Sequence, residues 1–315
     1  MNELLLTRDL TQQGFNTDEI GRLARRGDLT RVRRGAYLRR AAAATGDPTD
    51  PDDFQSAHLR LVAGTWPQLH PRAVFSHGSA AAVHGLPLFR NALDHVHVTR
   101  DRQGGGVRRS VVFVHGSPLR EEDRTVSDGL PVTSLARTTV DLARTLDYDQ
   151  AVAVVDRALA LGTDPTALAE SLEQAQRWYG SPQARRAVAF GDARSESVGE
   201  SYSRVRLHDL GLPAPTLQLE VFDRNGYLIG RADFGWQEHR TLGEFDGRTK
   251  YGGLRRPGES PEDVVHREKL REDALRDQGW EIARWDSDDL RRPEVIAGRL
   301  RRAFDRAAGR PLDGT

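Results

Sequence analysis

Residues 228–246 read LIGRADFGWQEHRTLGEFD, and apolar residues are interleaved with acidic ones on both sides of a short polar turn. This pattern predicts two strands, over 227–236 and 240–246. Both strands carry carboxylates: Asp233 in the first, Glu244 and Asp246 in the second. The segment therefore predicts part of a sheet that holds acidic side chains among apolar ones.

Further elements extend this sheet on both sides. The Asn225-Gly226 pair is a strong hairpin signal and adds a strand over 216–222. Gly211 with Pro213 two residues later ends a preceding helix. The predicted order is a helix over 195–210, three strands, a helix near 261–278, a strand over 280–285 and a helix from Ser287 or Asp288. This order indicates a mixed sheet flanked by helices.

The acidic residues of these strands are candidates for a metal site. Glu244 and Asp246 are two residues apart, so both carboxylates point to one face of a strand, and hairpin pairing brings Asp233 alongside. Glu200 lies on the helix that precedes the sheet and adds a fourth carboxylate. Like charges on a covered face repel one another unless a cation lies between them. The pattern favours a divalent metal, Mg²⁺ or Mn²⁺, held by Glu200, Asp233 and Glu244.

Two simpler interpretations remain open for these acids. Glu196, Glu200 and Arg204 follow one another at four-residue intervals, which is also the pattern of a solvated helix face. Asp233 and Glu244 could instead lie on an exposed sheet face, paired with Arg231 and Arg240.

The N-terminal forty residues are predicted to form a winged helix-turn-helix. Asn16 or Thr17 caps a second helix that Gly27 ends, and residues 29–38 alternate apolar and basic residues around a glycine turn, as a two-stranded wing does. Residues 22–40 contain eight arginines and one acid. Such a local excess of positive charge is typical of phosphate binding. The candidate DNA-binding residues are Arg22, Arg25, Arg26, Arg31, Arg33 and Arg34.

The middle of the chain gives weaker signals. Residues 41–53 are small, acidic and contain proline, which predicts a linker, and the segment from there to 190 mixes helical and strand patterns. Its histidines are scattered, and no pair has metal-ligand spacing with a third ligand, so no zinc site is expected. Ser76, His77 and Ser79 are attributed to helix capping and packing rather than to a hydrolase, because no G-x-S-x-G elbow is present.

The composition excludes several classes of protein. The 46 basic and 46 acidic residues give no net positive charge overall. Because the chain has no cysteine, disulfide scaffolds and thiolate zinc sites are excluded. No run of 18 apolar residues predicts a membrane span, and no secretory signal is readable at the N-terminus. We therefore expect a cytoplasmic protein without a membrane partner.

The C-terminal third resembles a known superfamily. The series Glu200-Ser201, Arg231-Ala232-Asp233-Phe234, Glu244-Phe245-Asp246-Gly247 and residues 268–285 is similar to the very-short-patch-repair-type endonuclease domains of the PD-(D/E)XK superfamily, over about residues 195–305. The resemblance implies a restriction-endonuclease-like fold in which Asp233 and Glu244 match the two superfamily carboxylates and Glu200 the helix acid. Asp246 occupies the usual lysine position, so Lys250 or Lys269 would take the lysine's role.

The N-terminal half resembles another family. The Gly14–Tyr37 pattern, the segment SHGSAA at 76–81 and the residues around Arg137 and Asp141 are similar to AbiEi-type antitoxins of bacterial type IV toxin–antitoxin systems, over roughly residues 1–160. This resemblance implies a DNA-binding winged helix followed by a domain of mixed structure. It also makes a nucleotidyltransferase-like toxin the candidate protein partner.

Together these observations predict an α+β or α/β multidomain protein. The predicted domains are a winged helix-turn-helix at 1–40, an AbiEi-like middle domain at 54–190 and a nuclease-like domain at 191–309. The predicted function is DNA binding combined with metal-dependent DNA cleavage, in bacterial defence or a toxin–antitoxin system. The alternative is a non-enzymatic antitoxin or transcriptional regulator whose nuclease-like domain is inactive.

Overall fold

The computed structural model describes residues 4–39, 51–93, 95–102, 104–108, 111–247 and 260–309. The protein has a mixed α and β architecture, with three sheets among these residues. It forms two compact units, and neither is a continuous segment. The first unit comprises residues 1–147 and 162–188, and the second comprises 148–161 and 189–315.

The first unit begins with a small sheet and two helices. The elements are β1 (Leu4–Leu6), α1 (Thr7–Gln12), α2 (Thr17–Arg26), β2 (Leu29–Arg33) and β3 (Ala36–Arg39), and the strands pair antiparallel in the order β1-β3-β2. Asn16 caps α2 and forms a capping box with Glu19, while Gly27 ends the helix with a left-handed φ of 81°. Both ends of α2 are therefore where the sequence predicts them.

Residues 51–190 supply the elements between the small sheet and the C-terminal third. They are α3 (Pro51–Thr65), β4 (Ala73–Phe75), α4 (His77–His84), β5 (Val96–Arg100), β6 (Val107–Arg108), β7 (Val112–Gly116), β8 (Arg124–Ser127), β9 (Leu130–Thr133), α5 (Leu135–Thr145), α6 (Tyr148–Ala160), α7 (Pro165–Gln174) and α8 (Ser181–Phe190). The strands form a mixed sheet in the order β6-β7-β5-β4-β9-β8. Its core includes Val62, Phe75, Val96 and Val132.

The second unit contains a four-stranded sheet. Its elements, after α6, are α9 (Val198–Asp209), β10 (Thr216–Phe222), β11 (Leu228–Trp236), β12 (Thr241–Asp246), α10 (Pro261–Asp277), β13 (Glu281–Asp286) and α11 (Pro293–Ala308). The strand order is β10-β11-β12-β13, with β12 and β13 parallel and the other pairs antiparallel. The order of helices and strands agrees with the sequence prediction.

Both faces of this sheet are covered. One core packs Leu207 of α9 and Ile296 of α11 against Phe234, and the other packs Leu275 of α10 against Ala232. Ala232 and Phe234 are two residues apart and would share a face in a regular strand. They belong to different cores, and Gln218, which lies opposite between the pairs Leu217–Phe234 and Leu219–Ala232, has a left-handed φ of 53°. The strand pair therefore changes face at the position of Asp233.

Several element boundaries differ from the predictions. The helix predicted from Ser287 or Asp288 begins at Pro293, after a short 3₁₀ turn at Asp289–Arg291, because proline is favoured in the first turn of a helix. The predicted linker 41–53 lies outside the described residues up to residue 50, and α3 begins at Pro51. Strands β8 and β9 and helix α8 carry little periodic signal, so the sequence does not predict them.

The predicted middle domain, 54–190, is not one continuous unit. Helix α6 belongs to the second unit, whereas the residues on both sides of it belong to the first. None of the described helices is long and apolar enough to span a membrane.

Candidate functional site

A basic surface lies on α2 and the β2–β3 turn. We use this name for Arg22, Arg25, Arg26, Arg31 and Arg34, all of which are exposed. Arg22 pairs with Glu19 at 3.8 Å, and the structure gives no acidic partner for the other four within its described residues. Arg33 lies in β2, but its side chain is outside the described part. The opposite side of α2 buries Ile20 against Leu10, so packing of the helix directs its arginines outward.

Asp233 and Glu244 occupy neighbouring strands of the second unit. The antiparallel pairing of β11 and β12 runs from Trp236–Thr241 to Phe234–Gly243. Beyond it, the backbone N–H of Phe245 donates to Oδ2 of Asp233 at 2.8 Å, so the carboxylate takes the place of the next strand hydrogen bond. The two acids lie on adjacent strands, and Asp233 already accepts a bond from the backbone.

Glu244 is held by two arginines. Its side chain is largely buried, and its carboxylate accepts bonds from Arg271 Nη2 at 2.6 Å and from Arg284 Nε at 2.7 Å. Burial by itself would raise the pKa of Glu244, but the two guanidinium groups outweigh burial and lower it. Glu244 is therefore an ionised carboxylate already neutralised by cations of the chain.

Glu200 stabilises the beginning of α9. Its carboxylate accepts bonds from Ser197 Oγ at 2.8 Å, from the backbone N–H of Glu196 at 2.9 Å and from Gln218 Nε2 at 2.9 Å. Glu200 is 3% exposed, and Arg204 on the same side of the helix is bonded to Asp156. The interpretation of this helix side as a solvated face is therefore wrong, because it packs against other elements of the second unit.

The proposed arginine pairing of the sheet acids is also wrong. Arg231 forms a two-bond pair with Glu196 at 2.8 and 2.9 Å. Arg240 stacks over the ring of Trp280 with 5.1 Å between the guanidinium carbon and the ring centroid. The cations that neutralise Glu244 come instead from α10 and β13, and strand periodicity does not reveal them.

The remaining predicted catalytic residues are Asp246, Lys269 and Lys250. Asp246 ends β12 and is exposed, and Lys269 is exposed on α10. Lys250 lies outside the described residues. Glu200, Asp233 and Glu244 do not form a group whose ligand atoms lie within 4.8 Å of one another, and among the described residues one group of three meets that distance, elsewhere in the chain. As arranged here, the three acids do not fit a shared Mg²⁺ or Mn²⁺ ion.

That one group consists of histidines, and we call it the histidine cluster: His77, His97 and His115. His97 on β5 and His115 on β7 approach with Nδ1 and Nε2 2.9 Å apart. His77, the first residue of α4, stacks on His115 with 3.8 Å between ring centroids and an angle of 11° between ring planes. The prediction that the histidines are scattered without a third ligand is therefore wrong.

The cluster lies in a polar region of the first unit. Ser76 Oγ is 3.1 Å from His77 Nδ1 and accepts a bond from Thr99 Oγ1 at 2.8 Å. Burial lowers the pKa of His77 to about 4 and that of His97 to about 3, and it also lowers the pKa of His115. All three imidazoles are therefore neutral at pH 7, so each has one N–H and one nitrogen lone pair. In the 2.9 Å contact between His97 and His115, the N–H of one ring donates to the lone pair of the other.

The sequence holds a partial signal for this cluster. His97 and His115 lie in the strands VHVTR and VFVHG, and the parallel register pairs His97 with Phe113 and Thr99 with His115. His115 is therefore displaced by two residues along β7 from the partner of His97, and both histidines lie on one face of the sheet. That register is set by pairing across the sheet, and no local pattern in the sequence reports it.

The residues around Arg137 form a buried ionic network. Arg137 donates to Asp141 at 2.8 Å and to Asp123 at 3.3 Å, and all three side chains are almost completely buried. Its guanidinium carbon lies 4.6 Å from the centroid of the Trp178 ring. Arg144 also pairs with Asp141, at 2.9 Å. These residues fix α5 within its unit and leave no exposed ionic group in this network.

Comparisons with known proteins give distant relatives. The chain is 29% identical over 283 residues to the uncharacterized proteins MT2308 and Rv2248 of two strains of Mycobacterium tuberculosis, covering 89% of this chain and 94% of theirs. The crystal structure of the Rv2827c protein from M. tuberculosis is similar over 70% of this chain and 83% of that one, with 16% sequence identity and a TM-score of 0.38. No protein-family model matches the chain.

Proposed function

We propose that this protein binds duplex DNA through residues 4–39. The observation that carries the proposal is the basic surface, which combines a helix following a short turn with a two-stranded antiparallel wing. Arg25 and Arg26 follow Arg22 by three and four residues, so all three lie on one side of α2. In a winged helix-turn-helix the second helix enters the major groove and the arginines around it contact phosphates.

Salt dependence tests this proposal directly. Each phosphate neutralised by an arginine releases a counterion, and the slope of log K against log salt changes by about −0.9 for each contact. We expect the double variants Arg25→Ala/Arg26→Ala and Arg31→Ala/Arg34→Ala each to bind duplex DNA more weakly than the wild type. The magnitude of the salt slope should decrease by roughly 2 in each variant. The measurement is a fluorescence-anisotropy titration at several salt concentrations.

The matched control changes two exposed arginines of α11, Arg301 and Arg302, to alanine. This variant loses the same charge but lies outside the basic surface, so its affinity and slope should equal those of the wild type. Equal losses in all three double variants would indicate attraction to total charge alone and would contradict the proposal.

A second candidate function is metal-dependent DNA hydrolysis by the second unit. It is favoured by the α-β-β-β-α-β-α order with Asp233 and Glu244 on adjacent strands, which matches the PD-(D/E)XK resemblance. The two guanidinium groups on Glu244 oppose it, because they occupy the carboxylate that a metal would need. The present geometry therefore supports the non-enzymatic regulator more than the nuclease.

Plasmid nicking in the presence of Mg²⁺ or Mn²⁺ separates these two functions. If the protein is a nuclease, the wild type should cleave the plasmid, and Asp233→Asn or Glu244→Gln should abolish cleavage. The exposed Glu238→Gln variant in the β11–β12 turn serves as the control. If the protein is a non-enzymatic regulator, it should bind DNA and cleave none of it with either metal ion. Co-purification with a nucleotidyltransferase-like protein would add support for the antitoxin form of the regulator.

A further inference from the structure

We propose that His77, His97 and His115 bind one divalent transition-metal ion of the zinc class. The three histidines belong to the first unit and share no residue with the basic surface or with the carboxylates discussed in the second unit. The metal site is therefore independent of the DNA-binding proposal.

The geometry is close to that of a three-histidine metal site. A tetrahedral zinc ion with Zn–N bonds of about 2.0–2.1 Å places its ligand nitrogens roughly 3.4 Å apart. In the cluster, one nitrogen from each ring lies within 4.8 Å of the other two, and the His97–His115 pair is at 2.9 Å. Metal binding therefore requires a small separation of that pair and a rotation of the His77 ring out of its stack, because imidazole lone pairs lie in the ring plane.

The backbone fixes His77 in place for this role. His77 has a left-handed φ of 49°, which is unfavourable for a residue with a side chain. The next residue is Gly78, where a Cβ atom would lie 2.1 Å from the carbonyl oxygen of Ala92. This tight turn from β4 into α4 directs the ring of His77 toward the strands that carry the other two histidines. Backbone strain of this kind persists where surrounding structure imposes it and is concentrated at functional sites.

The donor set selects the class of metal. Three neutral imidazoles suit Zn²⁺, Co²⁺, Ni²⁺ and Cu²⁺, whereas Mg²⁺ and Mn²⁺ prefer oxygen ligands. Asp141, whose negative charge acts on His77, is already paired with Arg137 and Arg144. Three protein ligands leave a fourth position for water, the arrangement found in zinc sites that activate a ligand.

Ser76 is the positioning residue of this site. Its hydroxyl lies 3.1 Å from His77 Nδ1, so it can accept the N–H of that nitrogen and leave Nε2 as the metal ligand. A hydrogen bond to the nitrogen that does not bind the metal fixes the tautomer and orients the ring. Thr99 donates to the same Ser76 oxygen and holds it in place.

The test is metal binding by the full-length, untagged protein after removal of metal with a chelator. Zn²⁺ is titrated in competition with a chromophoric chelator, and Co²⁺ is followed by its visible absorption. We expect one ion per chain, a tetrahedral Co²⁺ spectrum, and at least about 100-fold weaker Zn²⁺ binding in each of His97→Gln and His115→Gln. The control is His95→Gln, a partly buried histidine beside the same strand that contacts Arg108 instead of the cluster.

Two results would overturn the proposal. One is wild-type protein that binds no stoichiometric Zn²⁺ or Co²⁺, and the other is binding that survives unchanged in both variants. Circular dichroism in the presence of chelator establishes whether each variant folds. Should neither variant fold, the wild-type Co²⁺ spectrum decides the question, because an octahedral spectrum like that of the hexaaqua ion contradicts the tetrahedral three-histidine site proposed here.

Discussion

At the scale of single residues, Arg137 is a buried cation whose guanidinium group donates to four partners. It is 1% exposed and bonds to Asp123, Asp141, Ser117 Oγ and the Pro118 carbonyl. Arg137→Met keeps the length of the side chain but leaves two buried carboxylates without this cation. Breaking a buried ion pair from one side costs about 3–5 kcal/mol. We expect the free energy of unfolding to fall by that amount in a urea titration.

Arg185→Met on α8 is the matched control, because Arg185 is exposed. Surface substitutions of this kind change stability by about 0.5 kcal/mol or less. Arg137→Lys should also be destabilising, since an ammonium cannot reproduce the forked donor geometry of a guanidinium. A Lys variant as stable as the wild type would show that charge alone matters at this position.

His58 should make stability depend on pH. It is buried, its Nε2 lies 2.9 Å from Ser79 Oγ, and burial lowers its pKa from 6.5 to about 4. Between these two values the unfolded chain binds a proton that the folded chain does not, so stability is complete above pH 6.5 and declines as the pH falls toward 4. The lowered pKa of His58 makes a pH-dependent contribution on the order of 2–3 kcal/mol to the free energy of unfolding. In unfolding titrations at pH 7 and pH 4.5, His58→Gln should lose less stability between the two pH values than the wild type does.

At the scale of elements, close approach between α9 and β12 restricts what α9 can carry. A Cβ atom on Gly199 would lie 1.9 Å from the ring of Phe245. We expect Gly199→Ala to lower the free energy of unfolding by about 1–3 kcal/mol, since an extra methyl group in a packed core forces its neighbours to move. Thermal unfolding measures the change.

Gly298 in α11 provides the opposite case in the same unit. A Cβ atom there would meet the end of the flexible Arg302 side chain at 3.3 Å. Gly298→Ala should therefore stabilise the protein by roughly 0.5–1 kcal/mol through helix propensity. If both alanine variants changed stability in the same direction, packing between α9 and β12 would not be the controlling factor.

Local signals predicted the elements better than they predicted the candidate site. The capping box at Asn16 and the Asn225-Gly226 hairpin depend on neighbouring residues, and both appear where the sequence predicts them. The ion pairs of Glu244 depend in part on Arg271, which lies on a helix and is 27 residues later in the chain. The histidine cluster likewise depends on a parallel strand pairing. Sites whose residues are brought together by long-range packing produce no periodic pattern in the sequence, so they cannot be predicted from local signals.

At the scale of the whole molecule, the division of the chain predicts which fragments fold. Helix α6 contributes Asp156, which accepts bonds from Ser201 at 2.8 Å and Arg204 at 2.7 Å, to the second unit. A fragment of residues 191–309 lacks this helix, so Ser201 and Arg204 lose their acceptor Asp156. We expect fragment 148–309 to unfold cooperatively in urea and fragment 191–309 to unfold at a clearly lower midpoint or without a sharp transition. Equal midpoints would show that α6 is dispensable.

The same division has a consequence during protein synthesis. Helix α6 leaves the ribosome before its partner α9, and residues 161–197 must be added first, which takes roughly 2 to 7 s at ordinary translation speeds. The sheet of the second unit is complete only after β13 has been made. Helix α6 buries Val152, Val154 and Val155 in the folded protein, and these residues are synthesised well before those partners exist. The nascent chain is therefore most exposed to aggregation and to chaperone binding while residues between α6 and β13 are being translated.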